Sequence, residues 1–289
     1  MNSRIVSCVI LNYNDAPTTI KLLKHIKDFG AIDNIVVVDN YSTDNSWEEL
    51  QSYKNEKIKL IKTEKNGGYG FGNNVGIKYS VETLNADYVL IANPDVIFEN
   101  DLIEKLVATF DNNSDVAVVS AIQSNSQNWA WKDCSILESV LATSLFFEIW
   151  LKIRLYPKKY FDKKEDMVEV FAVPGSLLMV DAKKMIRYGM YDEEFFLYYE
   201  EPVLAQKMAN AGFKTILRLD TSYVHNHRTT TLKTLKRWSK QHNILLKSAE
   251  LFLRKYKQAN GLQMFYVKLW FAYTRVEFAI YDLYRKIRP

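Results

Sequence analysis

The sequence predicts an α/β fold, because short apolar segments alternate along the chain with segments of helical periodicity. The apolar segments are rich in Val and Ile and show little polar alternation, which is typical of strands buried on both faces of a parallel sheet. The chain has 289 residues, of which 48% are hydrophobic and 25% charged. Such a composition is sufficient for a sizeable core and excludes collagen-like and disordered classes.

The predicted elements follow the chain in order. Five strands are expected at residues 5–11, 35–39, 58–62, 88–92 and 116–120. Helices are expected between them at residues 17–29, 44–53, 73–81 and 101–110. The pattern is weaker in residues 121–166. It then resumes with the segments VEVFAVPGSLLMV and FKTILRLD, which predict strands, and with a helix at residues 202–211 that Gly212 would end.

Charge divides the chain into two parts. Residues 231–289 contain 13 Lys and Arg but 3 Asp and Glu, whereas the whole chain carries +4, so residues 1–230 carry −6. We therefore predict two domains, 1–230 and a helical, basic and aromatic extension at 231–289. The extension is suited to an anionic membrane surface, to self-association, or to packing on the first domain with its lysines outward. No nucleic-acid motif accompanies the basic residues, so nucleic acid is not an expected partner.

The cysteines and the N-terminal segment indicate a cytoplasmic location. Cys8 lies inside an apolar segment and Cys134 is far from it, so neither a disulfide framework nor metal-ligand spacing is present. The apolar run near Met1 is short and resembles a strand rather than a signal peptide. No run of 18 uncharged apolar residues predicts a spanning helix.

Polar sequences follow four successive predicted strands. They read NYND, VDNYSTDNS, EKNGGYGFGNNVGI and ANPDV. Because ligands bind at the carboxyl ends of strands in open α/β sheets, we expect these segments to form one site. The glycines do not form a dinucleotide fingerprint, since the turn after the first strand has none, and no P-loop occurs. A glycine-rich turn without a ligand stays an alternative.

The segment ANPDV places Asp95 at a strand end. A carboxylate there suits a hard cation such as Mg²⁺ or Mn²⁺, which takes further ligands from waters and substrate phosphates. The same three residues Asn93, Pro94 and Asp95 are also favourable for an ordinary turn.

Taken together, these motifs resemble the inverting family 2 glycosyltransferases of bacterial polysaccharide assembly, in particular the rhamnosyltransferase-like branch. The resemblance covers residues 7–231 and rests on the order and spacing of NYN, VDN-x-S-x-D-x-S, the glycine segment and NPD. It implies a GT-A-type, Rossmann-like fold with a mixed, mostly parallel sheet flanked by helices. Residues 1–230 would then be a nucleotide-sugar-binding catalytic domain.

The resemblance also implies roles for residues of the donor site. Asp39 would contact the base or ribose of the donor, with Asn12 nearby. Asn66, Gly67 and Gly68 would flank the nucleotide diphosphate.

Further roles concern the metal and the acceptor. Asp95 matches the last acid of the D-x-D or N-x-D motif, with Asn93 at its first position. His225 matches a histidine that approaches the metal or diphosphate, although an ordinary loop role is also open. Arg228 is placed to pair with a phosphate. Gly175 matches a small residue beneath the acceptor.

The segment FFLYYEEPVLAQKM contains two adjacent glutamates before Pro202, a natural first residue of a helix. Glu201 takes the position of the family's catalytic aspartate, and we predict that it is the general base. The exposed N–H groups of a helix start would favour its ionised form. Simple capping is the alternative. Glu200 is expected in the substrate site, but its role there is undecided. Val203 stands where the family pattern has a second acid.

Two tryptophans in NWAWKD allow two interpretations. Trp129 and Trp131 would either stack on a sugar ring of the acceptor or cover the core. Trp131 is retained as a candidate substrate-binding residue.

The expected activity is that of an inverting, metal-dependent hexosyltransferase. It would transfer a sugar from a UDP- or dTDP-sugar to a hydroxyl of a lipid-linked or growing bacterial surface glycan, at the inner face of the cell membrane. Both a monomer and a homo-oligomer are compatible with the sequence. A catalytically inactive nucleotide-sugar-binding protein is the alternative. A sugar-1-phosphate nucleotidyltransferase is disfavoured, because NYNDAPTT lacks the glycine-rich loop with arginine that those enzymes carry after the first strand.

Overall fold

A mixed β-sheet forms the centre of the molecule. The computed structural model describes residues 4–111, 113–162, 165–226 and 237–287, and within them nine strands join one sheet of order β3-β2-β1-β4-β8-β6-β9-β5, with β7 paired to β9. The strands are β1 Val6–Asn12, β2 Asn34–Asp39, β3 Ile58–Lys62, β4 Tyr88–Ala92, β5 Val96–Ile97, β6 Val116–Gln123, β7 Met167–Val170, β8 Leu177–Asp181 and β9 Lys214–His225.

The first four strands form the parallel part of the sheet. Strand β1 pairs in parallel with both β2 and β4, and β2 pairs in parallel with β3. Their carboxyl ends therefore lie at one edge, as the sequence predicts. Strand β8 is antiparallel to β4 and β6, whereas β9 is parallel to β6. Strands 58–62 and 88–92 have the predicted bounds, and β6 is longer because residues 121–123 pair with β9.

Helices cover both faces of the sheet. They are α1 Ala16–Ile26, α2 Ser46–Gln51, α3 Tyr69–Glu82, α4 Asn100–Asp111, α5 Ile136–Leu141, α6 Leu145–Leu151, α7 Ala182–Lys184, α8 Glu200–Asn210, α9 Trp238–Lys255 and α10 Gly261–Ile287, with a 3₁₀ turn at Lys158–Tyr160 and a π turn at Met185–Gly189. None of the helices in the described ranges is long and apolar enough to cross a membrane.

Helix α3 begins four residues before its predicted start, and two of its glycines pack against the sheet. A Cβ on Gly72 would lie 2.3 Å from Leu11 Cδ1, and one on Gly76 would lie 2.5 Å from Val9 Cγ1. These glycines let α3 approach the sheet closely. The glycine segment is therefore part helix, and its first residues alone form a loop.

Helix α8 begins at Glu200, two residues before the predicted start at Pro202. Tyr199 precedes it with φ +71°, and Val203 N donates the first intrahelical hydrogen bond to Tyr199 O, 3.0 Å away. The glutamates therefore occupy the first two helical positions and Pro202 the third. Gly212 follows the helix with φ +82°, which confirms it as the helix end.

Hydrophobic clusters fill both faces of the sheet. One contains residues of β1, β2 and β4 with α1 and α4, and the other contains α3 and α8 residues against the opposite face. Cys8 lies fully buried in the first cluster, where burial raises the pKa of its thiol to about 12. That thiol is a core group and is not a nucleophile at neutral pH.

The C-terminal helices α9 and α10 pack against each other and share a third cluster with α8 and the segment that leads into it. Val203 of α8 is buried there beside Phe195, among residues of both C-terminal helices such as Phe252 and Phe271. The predicted boundary near Thr230 lies outside the described residues. Helices α9 and α10 together form the C-terminal hairpin. Position 203, where the family pattern has a second acid, is apolar because this hairpin covers it.

We expect the change Val203→Asp to destabilise the protein by about 3 kcal/mol or more, because it places a carboxylate in an apolar cluster without a partner. Urea unfolding measures the effect. The control Val203→Ala deletes the same side chain without adding charge and should cost roughly 1–3 kcal/mol. Equal unfolding free energies for the Asp variant and the wild type would contradict the covered position.

Candidate active site

A buried hydrogen-bond network joins the ends of β1 and β2. Asn12 Nδ2 donates to Asp39 Oδ1 at 2.9 Å, and Thr19 Oγ1 donates to Asn12 Oδ1 at 2.8 Å. Ser42 donates from its amide to Asp39 Oδ2 at 3.1 Å and from its hydroxyl to Asp39 Oδ1. Asp39 is 1% exposed. The carboxylate therefore fixes the loop after β2, and its contact with a donor nucleotide stays a prediction.

A second network shapes the glycine loop. Asn40 Nδ2 donates to Asn66 Oδ1 at 3.1 Å and to Gly68 O at 3.0 Å, while Gly68 N donates to Asn66 Oδ1 at 3.0 Å. Gly67 is also constrained, since a Cβ there would lie 2.4 Å from Phe71 Cγ. Together these contacts hold the glycine loop at the edge of the sheet, next to the network around Asp39.

The glycine loop also contacts the chain that leads into α8. Tyr69 N donates to Phe196 O at 3.1 Å, and Gly68 has φ +93° with its α-carbon facing that carbonyl. A Cβ on Gly68 would lie 2.1 Å from Phe196 O. Glycine is thus required here both by the backbone conformation and by the close approach.

Asp95 and His225 form a pair at the edge of the sheet. Strand β5 is antiparallel to the end of β9, with Val96 opposite His225, and this pairing brings the histidine beside the aspartate. His225 Nε2 lies 3.1 Å from Asp95 Oδ1. Asn125 accepts from His225 N and donates to His225 O, which holds the end of the strand. The two predicted metal ligands are therefore adjacent.

The donor set of this pair fits a divalent cation. Carboxylate oxygens bind hard divalent cations and imidazole nitrogens bind transition-metal cations, and the Asp95 and His225 atoms are close enough to each other to serve one ion. Within the described ranges, no cluster of three or more His, Cys, Asp or Glu side chains is suited to a metal ion. Asp95 and His225 would therefore hold the cation together with oxygens of a bound diphosphate.

A cavity of about 450 Å³ lies between the sheet, α8 and the C-terminal hairpin. Six of the predicted site residues line it: Asn93, Trp131, Gly175, Glu200, Glu201 and His225. Asn12, Asp39, Asn66, Gly67 and Gly68 lie instead in and around the two networks at the strand ends. The site residues predicted from the sequence therefore fall into two neighbouring groups. One group lies at the carboxyl ends of the parallel strands, and the other lines the cavity.

Glu201 is fixed by the segment before β8. Gly175 N donates to Glu201 Oε1 at 3.1 Å, and a Cβ on Gly175 would lie 2.9 Å from that oxygen. The hydroxyl of Tyr69 donates to Gly175 O at 2.7 Å. A glycine is therefore needed at position 175 so that the carboxylate can reach the amide.

Burial controls the protonation of both glutamates. It raises the pKa of Glu201, although the backbone amides of Glu201 and Gly175 act in the opposite direction. Burial, and then the charge of Glu201, raise the pKa of Glu200 to about 8. The sequence predicts that the helix start favours the ionised form of Glu201. This prediction is wrong, because the loss of water around the buried carboxyl raises its pKa by more than the amide donors lower it. At neutral pH Glu200 is protonated beside Glu201.

The two residues before this pair have an unusual backbone. Tyr198 and Tyr199 both have φ +71°, a conformation that bulky residues rarely adopt. Their rings are held by surrounding packing, since Tyr199 contacts Phe252 at a centroid separation of 5.1 Å. Such a turn directs the start of α8 and both carboxyl groups toward the cavity at a cost in backbone strain.

Several cavity residues were not predicted. Arg154 lines the wall and pairs with Glu148 of α6, with 2.6 Å between Nη2 and Oε1. Lys132 and Lys257 also line it. They lie in segments without a recognisable motif, so no sequence signal marks them. Tyr69 was also missed, although its place inside NGGYG was a usable signal.

The structure separates the two tryptophans. Trp129 covers the core, because its ring contacts Phe161 and its Nε1 donates to Ser126 O at 2.8 Å. Trp131 lines the cavity, held by backbone hydrogen bonds with Ala172 in both directions. Its contact with a sugar stays a prediction, and Arg228 lies outside the described residues.

Comparisons with known proteins agree on one family. The model of glycosyl transferase family 2 matches residues 7–181. The chain is 30% identical over 196 residues to the low-salt glycan biosynthesis hexosyltransferase Agl10 of Haloferax volcanii, covering 68% of this chain and 59% of Agl10. It is 25% identical over 227 residues to the dTDP-rhamnosyl transferase RfbF of Shigella flexneri, covering 78% and 70% respectively. The chain thus spans less than two thirds of Agl10.

Solved structures share the fold. GalNAc-T7 with UDP, GalNAc and Mn²⁺ has a TM-score of 0.62 at 14% identity, covering 86% of this chain and 51% of that one. The mannosyltransferase PcManGT from Pyrobaculum calidifontis, in complex with GDP-Man and Mn²⁺, has a TM-score of 0.59 at 15% identity, covering 96% and 74%. At these identities the likeness concerns the fold, which is the GT-A fold.

The glutamate pair predicts a pH dependence of stability. Folding raises the pKa of Glu200 from 4.5 to about 8, so the folded state holds a proton that the unfolded state releases. This contribution is fully present below pH 4.5 and is lost as the pH rises to about 8. We expect Glu200→Gln, which cannot ionise, to melt at a higher temperature than the wild type near pH 8 and to show a smaller difference near pH 5.

Melting temperatures measured across this pH range test the assignment. The control Glu56→Gln removes an exposed glutamate and should leave the wild-type pH dependence unchanged. A Glu200→Gln curve parallel to that of the wild type would contradict the protonated buried carboxyl. The groups that interact electrostatically with Glu200 include Glu201, and Arg154 in turn interacts with Glu201.

Proposed function

The chain belongs to glycosyl transferase family 2, and we propose that it transfers a hexose from a UDP- or dTDP-sugar to a hydroxyl of a lipid-linked or growing surface glycan, with inversion. Two relatives support the class of donor and product: Agl10 is a hexosyltransferase of glycan biosynthesis, and RfbF is a dTDP-rhamnosyl transferase. The acceptor would be reached at the inner face of the cell membrane.

The observation that carries the proposal is that Glu201 and His225 line the same cavity. Inverting transfer needs a base on the acceptor side of the sugar and charge stabilisation on the diphosphate side. Glu201 supplies the first, and His225, beside Asp95, belongs to the second. A reacting sugar would then lie between the two.

Glu201 would act as the general base. Its fixed carboxylate accepts a hydrogen bond from Gly175 N and has room at the cavity for an acceptor hydroxyl. As the acceptor oxygen attacks the anomeric carbon, its proton passes to Glu201 while the bond to the diphosphate oxygen breaks. Burial raises the pKa of this carboxyl group, which increases its affinity for the proton that it takes up.

Asp95 and His225 would hold a divalent cation, Mg²⁺ or Mn²⁺, against the donor diphosphate. When bound, such a cation supplies positive charge that stabilises the leaving diphosphate. The glycine loop, from Gly67 to Tyr69, lies at the same edge and would face the phosphates, with its shape held by the amides of Gly68 and Tyr69, which donate to Asn66 Oδ1 and Phe196 O.

The base assignment predicts that Glu201→Gln lowers kcat by about 10²- to 10⁴-fold, because the amide cannot take a proton. Donor binding, measured as the change in melting temperature with UDP, should remain close to that of the wild type. Gly175→Ala should lower kcat in the same direction, since its Cβ displaces the carboxylate.

Gly30→Ala is the matched control for the glycine change, because a Cβ there meets nothing within 4 Å. It should keep wild-type turnover. Full turnover by the Glu201→Gln protein would exclude this residue as the base.

The metal assignment predicts that Mn²⁺ increases the stabilisation by UDP, and that Asp95→Asn removes this increase. The reason is that the amide has no charge to attract the cation that bridges to the diphosphate. Thermal-shift titrations with UDP, with and without Mn²⁺, measure the effect. Asp101→Asn, an exposed change at the start of α4, should behave like the wild type. An undiminished response of the Asp95 variant would contradict the proposal.

A further inference from the structure

Helix α10 is apolar on two opposite faces. Its inner residues Met264, Val267 and Phe271 are buried in the cluster shared with α9. Its outer face exposes nine large apolar residues, each 51–67% accessible: Leu262, Phe265, Tyr266, Leu269, Tyr273, Val276, Ile280, Leu283 and Tyr284. At 3.6 residues per turn these nine fall within an arc of about 100°. A helix of this kind is covered on both sides in its working state.

The charges of the helix are distributed unequally. Its two acidic residues are used inside the molecule. Glu277 accepts from the amides of Leu145 and Phe146 at the start of α6, and Asp282 accepts from those of Trp238 and Ser239 at the start of α9. Each carboxylate thus satisfies free N–H groups at a helix start.

Three basic side chains of the helix are exposed, one of which, Arg275, donates from Nε to Asn243 Oδ1 of α9 at 3.1 Å. The three are Lys268, Arg275 and Arg285. Among the described side chains of α10, the exposed charges are therefore all positive. At 3.6 residues per turn Lys268 and Arg275 lie together on one flank of the apolar face. An apolar face with cations on its flank is complementary to an anionic surface with an apolar interior.

We propose that the outer face of α10 docks on an anionic lipid bilayer, with the helix lying in the plane of the membrane surface. The helix is about 40 Å long, yet neither it nor any other described helix is apolar enough to span a membrane. Three of the nine outer residues are tyrosines, whose amphipathic rings suit the headgroup region.

A second copy of the chain is a poorer match for this face. Paired helices take partner choice and orientation from opposite charges beside the apolar seam. Here the exposed charges of α10 are cations such as Lys268 and Arg275, while Glu277 and Asp282 are engaged elsewhere. Two such faces would therefore bring like charges together without an acidic partner.

The position of the hairpin relates this surface to the proposed acceptor, and this step rests on the proposed function. Leu245 and Phe252 of α9, and Lys257 just after it, line the cavity that contains Glu201. The hairpin thus forms both a wall of the cavity and the lipid-facing surface. Docking through α10 would hold the cavity near the headgroups, where a lipid-linked acceptor presents its sugar.

Flotation of the full chain with vesicles tests the proposal. The wild type should float with vesicles that contain phosphatidylglycerol, and much less with pure phosphatidylcholine. The triple variant Leu269→Gln/Val276→Gln/Ile280→Gln should lose at least about tenfold in vesicle affinity, since each side chain gives up apolar burial. Its melting temperature should be unchanged, because these side chains are exposed in the free protein.

The double variant Met167→Gln/Tyr188→Gln removes exposed apolar side chains far along the sequence from α10 and should float like the wild type. Equal flotation of the triple variant and the wild type would overturn the proposal. So would a lipid-free dimer in analytical ultracentrifugation that the triple variant dissociates.

UDP-induced thermal shifts without vesicles keep this test separate from the proposed activity. The triple variant should retain the wild-type response to UDP and Mn²⁺. If neither protein responds to any nucleotide but flotation behaves as expected, the lipid surface stands and the proposed donor site fails.

Discussion

The hydrogen bond from Gly175 N to Glu201 Oε1 is the contact on which the site depends. It joins the segment before β8 to the first turn of α8, across a gap that a single methyl group would close. Tyr69 then holds the other side of Gly175 through its carbonyl. The position of the proposed base is thereby set by backbone groups, which cannot change rotamer, and burial raises the pKa of both neighbouring carboxyl groups.

The sequence was sufficient for the parts of the fold that repeat a simple pattern. The parallel strands β3 and β4 were predicted with their bounds. Strand β4 reads YVLIA and is buried throughout, whereas β3 reads IKLIK and is a partly exposed strand at the end of the sheet. The motif residues Asp95 and His225 were also brought together as the resemblance implies. Cavity residues such as Arg154 were not predictable, since the segment that contains them, residues 121–162, is positioned by tertiary packing rather than by local periodicity.

The direction of the pKa shift at Glu201 was predicted wrongly, because the sequence does not reveal how deeply this residue is buried. Position at a helix start can be inferred from Pro202 and the apolar periodicity, but the depth of burial cannot, because it depends on the C-terminal hairpin packed beside α8. The same hairpin explains Val203, whose apolar side chain fits a covered surface. In the sequence, Val203 looks like the loss of an acid of the family pattern. In the fold, it is a packing residue.

The contact between Gly68 and Phe196 has a consequence for recombination between relatives. The glycine loop and the turn that leads into α8 touch through backbone atoms, so neither can be exchanged alone without a mismatch in shape. A chimera that imports a donor loop from another member of the family should therefore import residues 195–201 as well. Donor preference and the placement of the base would be inherited as one block, and new specificities in this family would arise by replacing both segments together.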